Sequence, residues 1–376
     1  MKHNWEYKKI DELGAIKSGY TPSSDELASH GDYPYFKVAE MNLPGNEKYL
    51  MCSPSYLSGE IKTFPANSIV FPKNGAAVST NKKRILQVDS VVDLNTAVMI
   101  ANQNISVNYL YYILINIDFA NLVKRGAVPT LNISELKNTI VPVPPMETQE
   151  QIVAELDQIN DLIAKNRELL SQLDSLAQSL FYDTFGDPIT NPKGFPIKTL
   201  KDVCILKSGD SSANRLPDGK VPYVKVGDMN LLENKQGILT SSKFVNIGNK
   251  TKLLFPIGTT IFPKRGGAIL TNKKRLTKVQ ICCDLNIMGA IPQNIHPLYL
   301  YFFFLEKDFS ELVDGSTVPQ INNTDIYPLK IQVPPLALQE EFASKVEAIE
   351  AQKVKVDAEI SELQNLLDAR MDYWFN

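Results

Sequence analysis

The chain contains 376 residues, of which 44% are hydrophobic and 22% are charged, proportions typical of a folded globular protein and not of a disordered one. Its longest apolar runs, such as residues 298–305, are too short to span a bilayer, and its first six residues lack the apolar core of a signal peptide. We therefore expect a cytoplasmic protein.

The formal net charge of -3 is distributed unevenly along the chain. Residues 147–183 carry eight acidic and two basic side chains, and residues 336–376 carry nine and four. The remainder therefore carries 25 acidic and 33 basic side chains, a charge of +8. This asymmetry favours a polyanion as the partner of the basic part and a different partner for the two acidic segments.

The pattern of residues 1–145 predicts one α+β domain. Residues 67–71 and 91–101 are β-branched and apolar, as in strands, whereas residues 107–115 carry large apolar side chains suited to a buried helix. Between the two strands, Thr80-Asn81-Lys82-Lys83-Arg84 places three consecutive cations after a glycine-containing turn. Such cations suit the phosphates of a duplex, although a single charge run is also typical of a solvated turn.

A long helix is predicted over residues 146–185. After Pro144-Pro145, apolar side chains recur at alternating spacings of four and three from Ile152 to Leu180, with no internal proline. This heptad seam is typical of a coiled coil. At ~1.5 Å per residue the seam spans ~43 Å, long enough to place two domains about one turn of DNA apart, ~34–36 Å.

Residues 186–335 repeat the first domain, which predicts a second α+β domain of the same kind. The cationic turn returns as Thr271-Asn272-Lys273-Lys274-Arg275, and this recurrence favours DNA binding over a solvated turn. A second heptad seam begins at Phe342, after Pro334-Pro335, and predicts a helix over residues 336–376. Further matches pair Lys17-Ser18-Gly19 with Lys207-Ser208-Gly209, Pro34-Tyr35 with Pro222-Tyr223, and Asp93-Leu94-Asn95 with Asp284-Leu285-Asn286.

Two heptad seams in one chain favour an antiparallel coiled coil between the two helices, and the alternative is that each helix lies on its own domain. A register in which paired residue numbers sum to 519 places Asn166 against Lys353. That polar layer would fix the coiled-coil register. In the alternative interpretation both polar side chains extend outward to solvent.

The candidate DNA contacts divide into shared and divergent positions. Residues that both domains share cannot distinguish two half-sites, so shared cations suit phosphates or the fold. Specificity is expected where the copies differ, as at Asn74 and Arg265, at Ser79 and Leu270, and in residues 23–32 and 211–220. Arg265 could bond a guanine edge through two hydrogen bonds, although an exposed turn arginine is also common. The candidate DNA-binding residues are Lys73, Asn74, Asn81, Lys82, Lys83, Arg84, Lys264, Arg265, Asn272, Lys273, Lys274 and Arg275.

The chain shows no motif for catalysis. It lacks Gly-x-Gly-x-x-Gly, a phosphate-binding loop and the Asn-Pro-Pro-Tyr of an amino-methyltransferase. The histidines His3, His30 and His296 are isolated in sequence, and the four cysteines show no Cys-x-x-Cys spacing. We expect reduced, structural cysteines, no metal site and no catalytic residue in this chain.

Two segments carry a family resemblance. Val141-Pro142-Val143-Pro144-Pro145-Met146-Glu147-Thr148-Gln149 precedes Ile152, and Val333-Pro334-Pro335-Leu336-Ala337-Leu338-Gln339 precedes Phe342. Together with Gly19-Tyr20-Thr21-Pro22 and the order domain, helix, domain, helix, they resemble the DNA specificity (S) subunit of type I restriction-modification systems. The second copy departs from the family pattern at Gly209-Asp210-Ser211-Ser212 and at Ala337, which takes the place of Glu147.

The resemblance implies two target-recognition domains, each reading one half of a bipartite, asymmetric double-stranded DNA site. The antiparallel helices would set the unread spacer and dock two modification (methyltransferase) subunits, which restriction (endonuclease and translocase) subunits would join. S-adenosylmethionine, ATP and magnesium would belong to those partners, with no cofactor in this chain. The alternatives are a stand-alone two-domain DNA-binding repressor or architectural protein, and an interaction scaffold that never touches DNA.

Overall fold

The computed structural model describes residues 5–124, 126, 128–313 and 318–376, so His3 lies outside the described residues. The chain divides into two compact units, one formed by Met1–Lys165 with Ile360–Asn376 and the other by Asn166–Glu359. Each unit contains one α+β domain and parts of two long helices. Within the described ranges, no helix is long and apolar enough to cross a membrane.

Among the described residues of the first unit, twelve strands form small sheets. A five-stranded sheet has the order β2-β9-β6-β7-β4, a three-stranded sheet has the order β5-β3-β8, and two further pairs are β1-β12 and β10-β11. The strands are β1 Glu6–Lys9, β2 Gly14–Ser18, β3 Tyr33–Phe36, β4 Tyr49–Leu50, β5 Tyr56–Leu57, β6 Ile69–Pro72, β7 Arg84–Leu86, β8 Val91–Val92, β9 Thr96–Ala101, β10 Val123–Lys124, β11 Thr130–Leu131 and β12 Ile140–Val143. The helices are α1 Ile10–Leu13, α2 Val107–Asn116, α3 Ile133–Asn138 and α4 Met146–Phe185.

Two sequence predictions for this unit have different outcomes. The helix expected over residues 107–115 is confirmed as α2. The strand expected over residues 91–101 is wrong as a single element, because it divides into β8 and β9. The interruption is a turn in which the Asp93 carboxylate accepts a hydrogen bond from the Asn95 backbone N–H at 2.8 Å. A short acidic side chain that bonds its own backbone two residues on favours a turn over a strand.

The core of the first unit joins its main sheet to α2 and to both long helices. Phe71 packs edge-on against Phe119 with ring centroids 5.2 Å apart. Ile152 and Leu156 of α4 are buried in the same cluster, as is Phe375 from the chain's C-terminal end. The domain core and the helical pair are therefore continuous in this unit.

The second unit repeats this architecture in the residues that the structure describes. Its sheets have the orders β14-β20-β17-β18, β16-β15-β19 and β13-β21. The strands are β13 Ile197–Thr199, β14 Cys204–Ser208, β15 Val221–Val224, β16 Phe244–Val245, β17 Thr260–Pro263, β18 Arg275–Leu276, β19 Cys282–Cys283, β20 Ile287–Pro292 and β21 Lys330–Gln332. The helices are α5 Leu200–Val203, α6 Pro297–Leu305, α7 Asn323–Ile326 and α8 Leu336–Phe375.

The α+β fold class with two similar domains and an antiparallel coiled coil is confirmed. In the first unit, Arg370 of α8 donates to Glu155 of α4 at 2.9 Å. In the second unit, Lys353 of α8 pairs with Asp174 of α4 at 2.7 Å. In each unit an early part of one helix contacts a late part of the other, so the two helices run in opposite directions.

The predicted register of the coiled coil is wrong. Asn166 donates to Glu359 at 3.3 Å and does not meet Lys353, because paired residue numbers sum to about 525 and not 519. Lys353 lies instead between Asp174 and Glu350, at 2.7 and 2.9 Å. Burial opposes its charge, but these two carboxylates outweigh burial and raise the pKa of Lys353. Two charge-assisted bonds satisfy a partly buried ammonium group better than one amide oxygen.

Three of the four cysteines are buried, and His296 lies at the start of a helix. Cys204, Cys282 and Cys283 are buried and free, as expected of structural thiols. Cys52 is free but exposed, so it does not share their packing role. The His296 ring accepts a hydrogen bond from the Leu298 backbone N–H at the start of α6.

Candidate nucleic-acid interface

The cationic turn of each domain is a tight, sharply bent connection. Gly75 has a φ of 81°, a short 3₁₀ segment follows over Ala76–Thr80, and Asn81 adopts the left-handed conformation with a φ of 54°. Asn272 occupies the equivalent position with a φ of 49°. Asparagine tolerates this conformation better than most residues because its short amide bonds locally.

Asn81 and Asn272 act within the fold. The Asn81 side-chain oxygen accepts from the Phe119 backbone N–H at 2.9 Å, and that of Asn272 accepts from Phe309 N–H at 3.0 Å. Each amide therefore ties the turn to the segment that follows the buried helix of its domain. Their predicted contact with DNA gains no support from this geometry.

The prediction that Lys83 contacts DNA is wrong. Its side chain is fully buried, at 0% exposure, and its ammonium group donates to the Asn81 side chain and, at 3.0 Å, to the Ile117 carbonyl. The same group lies 3.8 Å from the centre of the Phe119 ring. Burial lowers the pKa of Lys83 from 10.5 to about 7. A buried ammonium group with these partners serves the fold.

Lys274 repeats the arrangement of Lys83 in the second domain, so the prediction that Lys274 contacts DNA is also wrong. It is 1% exposed and donates to Asn272 at 2.5 Å and to the Lys307 carbonyl. Its ammonium group lies 4.4 Å from the Phe309 ring centre, and burial lowers its pKa to about 8. Consecutive side chains of extended backbone alternate in direction, so Lys274 points inward while Lys273 before it stays partly exposed.

The arginines that close the motif bind backbone carbonyls. Arg84 donates to the Lys83 carbonyl at 2.8 Å and to the Met41 carbonyl at 2.9 Å. Arg275 donates to the Lys274 carbonyl at 2.9 Å. Both side chains are partly buried, and Arg84 has both terminal nitrogens of its guanidinium group bonded within the fold.

Lys82 and Lys273 are the cations of the turn that remain available to a polyanion. Lys82 lies near the side-chain oxygen of Asn42, and Lys273 near that of Asn230. Both lysines are partly exposed. Because each partner is a neutral amide, neither positive charge is neutralised.

A second polar cluster lies where β2, β6 and β9 reach one edge of the main sheet. Lys73, just after β6, donates to the Ser18 hydroxyl at 2.7 Å, and its backbone N–H donates to the Asn95 carbonyl at 2.9 Å. In the second domain Lys264 donates to Ser208 at 2.8 Å. Burial lowers the pKa of both lysines. Each cluster thus holds a lysine found in both domains, Lys73 or Lys264, next to a residue that differs between them, Asn74 or Arg265.

The divergent neighbours present different chemistry. Asn74 places its side-chain nitrogen 3.4 Å from the Asn95 side-chain oxygen. Arg265 is exposed and donates through Nε and Nη2 to the Gln320 oxygen at 3.2 and 2.9 Å. The other divergent pair, Ser79 and Leu270, is exposed in both copies.

Buried polar residues explain why several motifs occur in both copies. Asp93 accepts from the Thr21 and Tyr35 hydroxyls at 2.8 and 2.9 Å. Burial opposes its charge, but these bonds and that from Asn95 hold the pKa of the Asp93 carboxyl below its usual range. Asp284 accepts from the Tyr223 hydroxyl at 3.0 Å in the second domain.

Asn46 and Asn234 are structural residues that the sequence reasoning missed. The Asn46 side chain is fully buried and makes four hydrogen bonds to backbone groups, two as donor and two as acceptor, at 2.8 to 2.9 Å. Asn234 makes the same four bonds. The signal available in the sequence was their matching place in the two copies.

The glutamines of the two Pro-Pro segments connect each helix to its domain. Gln149 donates to the Pro144 carbonyl at 2.9 Å and accepts from the Ser106 N–H at 2.9 Å. Gln339 donates to the Pro334 carbonyl at 2.7 Å and accepts from the His296 N–H at 2.8 Å. Each glutamine therefore links the first turn of a long helix to the start of the buried helix α2 or α6.

One face of α4 carries an apolar stripe that remains exposed. Leu162, Leu169 and Leu176 recur every seven residues and are 43%, 39% and 52% exposed. This stripe is separate from the buried seam that includes Ile163 and Leu170. Apolar heptads on an exposed helix face indicate a surface for another helix.

The comparisons with known proteins show the family. Residues 2–175 and residues 192–364 each match the family model described as the type I restriction modification DNA specificity domain. The two matches cover most of the chain, so this protein belongs to that family and contains its domain twice. Among the described residues, no group of three or more histidine, cysteine, aspartate or glutamate side chains could hold a metal ion.

Individual relatives agree with this assignment. The type I restriction enzyme MjaIX specificity subunit of Methanocaldococcus jannaschii is 24% identical over 97% of this chain and 91% of its own length. A putative type I restriction enzyme specificity subunit, S.HindORF215P of Haemophilus influenzae, is 21% identical over 92% and 87%. The crystal structure of the type I restriction-modification S subunit from M. genitalium is 18% identical and matches with a TM-score of 0.59 over 99% of this chain and 96% of that one. That structural likeness shows a shared fold.

Proposed function

We propose that this chain is the DNA-recognition subunit of a type I restriction-modification complex, in which each domain reads one half of a bipartite, asymmetric duplex site. The observation that carries the proposal is the family's DNA specificity domain occurring twice on one repeated polar frame. The positions beside that frame differ between the copies, as at the partly exposed Asn74 and the exposed Arg265. Two domains that share their buried polar residues but differ at the candidate base-contacting positions suit two different half-sites.

The phosphate contacts come from the shared cations that remain accessible. Within the described residues the partners of Lys82 and Lys273 are neutral amides, and Lys73 and Lys264 lie beside serine hydroxyls at the sheet edge. Such contacts fix the position of a protein on DNA and supply affinity that is independent of sequence. They account for residues that two domains with different targets have in common.

The partner subunits dock on the helices. The exposed stripe Leu162, Leu169 and Leu176 provides the apolar surface for a modification subunit, two of which bind the chain before restriction subunits join them. The 40-residue helices α4 and α8 set the unread spacer between the half-sites. S-adenosylmethionine, ATP and magnesium belong to the partners, and this chain contributes recognition without catalysis.

The test is co-expression with the cognate modification subunits, followed by mapping of methylated adenines across a genome. The expected result is methylation within one two-part motif of fixed spacer, and none when either component is absent. A modification subunit that methylated the same motif without this chain would contradict the proposal. Co-purification of this chain with the modification subunits separates this function from that of a stand-alone repressor, which would bind DNA without a methyltransferase.

A substitution in the leucine stripe tests the docking surface. Leu169→Glu combined with Leu176→Glu should abolish co-purification of the modification subunits, because two charges would be buried against an apolar partner. Ser171→Glu adds charge at an exposed position of the same helix, two residues from Leu169 and therefore on another face, and should leave the complex intact. Equal loss with Ser171→Glu, or none with the double variant, would place the docking surface elsewhere.

A further inference from the structure

We propose that Arg265 reads a guanine in the half-site bound by the second domain. This inference rests on the proposed function, since it names a base within the DNA site that the domain binds. It is carried by the orientation of the guanidinium group, by the supports around it and by its divergence from Asn74.

The guanidinium group of Arg265 is held along one edge. Its Nε and Nη2 atoms both donate to the Gln320 side-chain oxygen, at 3.2 and 2.9 Å. These bonds leave Nη1 and the second hydrogen of Nη2 pointing away from Gln320. No partner for Nη1 is found in the part of the chain that the structure describes. The outward edge therefore presents two parallel donors from an exposed side chain.

Gln320 is itself fixed in place. Its side-chain nitrogen donates to the Asn322 side-chain oxygen at 2.7 Å, so the amide orientation agrees with its use of the oxygen toward Arg265. The backbones of Arg265 and Gln320 form an isolated antiparallel bridge. Gly266 N–H donates to the Pro319 carbonyl at 2.8 Å, and Ile321 N–H donates to the Lys264 carbonyl at 2.9 Å. An arginine side chain held in this way loses little rotamer freedom when it binds a base.

Guanine is the base that matches such an edge. In the major groove it offers the two acceptors N7 and O6, and a bidentate arginine is the commonest specific contact to it. A phosphate also accepts a forked arginine, so the competing occupant is the DNA backbone. The repeat argues against the backbone, because a shared phosphate contact calls for a cation in both domains, as Lys73 and Lys264 provide. The first domain instead presents the Asn74 amide, which complements adenine.

The experiment uses the full chain in complex with its cognate modification subunits and reads the methylated motif by sequencing. Arg265→Lys keeps the positive charge but loses the fork. It should reduce the guanine preference at one position of one half-site by about 5- to 150-fold, the discrimination a bidentate pair supplies. The other positions and the salt dependence of binding should stay unchanged. Arg167→Lys is the matched control, because it makes the same change at an exposed arginine of α4 and should leave both half-sites as they were.

Gln320→Leu tests the positioning role by removing the acceptor that holds the guanidinium edge. It should relax the same single position partway and no other, which a merely structural effect on folding would not do. A motif unchanged by Arg265→Lys would overturn the inference. So would Arg265→Ala lowering binding equally at all sequences and flattening the salt slope by about one unit, because that identifies a phosphate contact. A wild-type complex without any bipartite motif would instead remove the proposed function itself.

Discussion

Lys82 and Lys83 are adjacent in the chain, and the structure predicts opposite consequences for the same substitution at the two positions. Methionine keeps the length of the lysine stem and removes only the ammonium group. Lys82→Met should weaken DNA binding and leave stability unchanged. Lys83→Met should lower stability and leave the salt dependence of binding unchanged.

The magnitude for Lys83→Met follows from its partners. The substitution leaves the partly buried Ile117 carbonyl without this donor and removes the cation from the Phe119 ring face. An unsatisfied buried acceptor costs ~1–3 kcal/mol, and a desolvated cation–π contact contributes ~2 kcal/mol. Relief of the ammonium desolvation offsets part of this loss, and a net destabilisation of ~2 kcal/mol remains. In a unit of this size that lowers the Tm by about 4–8 °C.

The pH dependence supplies a second readout. The pKa of Lys83 in the folded protein is about 7, below its usual 10.5. The unfolded chain therefore binds one more proton than the folded chain between these values, so stability rises as pH increases from about 7 to 10.5. Lys83→Met removes this rise. Urea unfolding at pH 7 and pH 9 should show wild type gaining stability relative to the variant at the higher pH.

The binding assay measures affinity for a duplex as a function of salt. Lys82→Met should flatten the slope of log affinity against log salt by about 0.9, the value for one phosphate contact. Replacing Lys82, Lys83 and Arg84 together should flatten it by about one unit and not three, because two of these side chains are occupied within the fold. Lys83→Met flattening the slope as much as Lys82→Met, with an unchanged Tm, would refute the reasoning.

Further predictions concern buried polar groups and the exposed thiol. Asn46→Ala and Asn234→Ala should each destabilise their unit by ~2–6 kcal/mol in urea unfolding, because four hydrogen bonds of ~0.5–1.5 kcal/mol are lost; a change below ~1 kcal/mol would show that water replaces the amide. The pKa of Asp93 lies below its usual range, so its contribution to stability is present above the unfolded-state pKa and lost as pH falls through the folded one. Asp93→Asn should therefore reduce acid sensitivity, and an acid transition identical to wild type would contradict the assignment. Cys52 should react rapidly with a thiol reagent in the folded protein, whereas modification of more than one thiol before unfolding would contradict the burial of the others.

The amino-acid sequence by itself determined the features that depend on local or repeated patterns. The heptad spacing and the flanking Pro144-Pro145 and Pro334-Pro335 predicted helices that the structure has as Met146–Phe185 and Leu336–Phe375. The heptad periodicity predicts these helices because a helix forms its backbone hydrogen bonds internally and buries one stripe of apolar side chains. The collinear repeat likewise predicted two domains of one fold, since the same hydrophobic pattern in each half buries the same faces of its strands and helices.

Only the tertiary structure decided which cations face solvent and which residues oppose each other across the helices. Lys82 and Lys83 are indistinguishable in sequence, and their fates differ because the carbonyl and ring that receive Lys83 lie 34 or more residues further along the chain. The seam fits a register summing to 519 as well as one near 525, so apolar spacing alone could not choose. The Lys353 pairing with Asp174 and Glu350 accompanies the observed register, and it depends on charges from two helices brought together. Long-range partners of a buried charge are set by the folded chain, because only there does desolvation make an unpaired ammonium group costly.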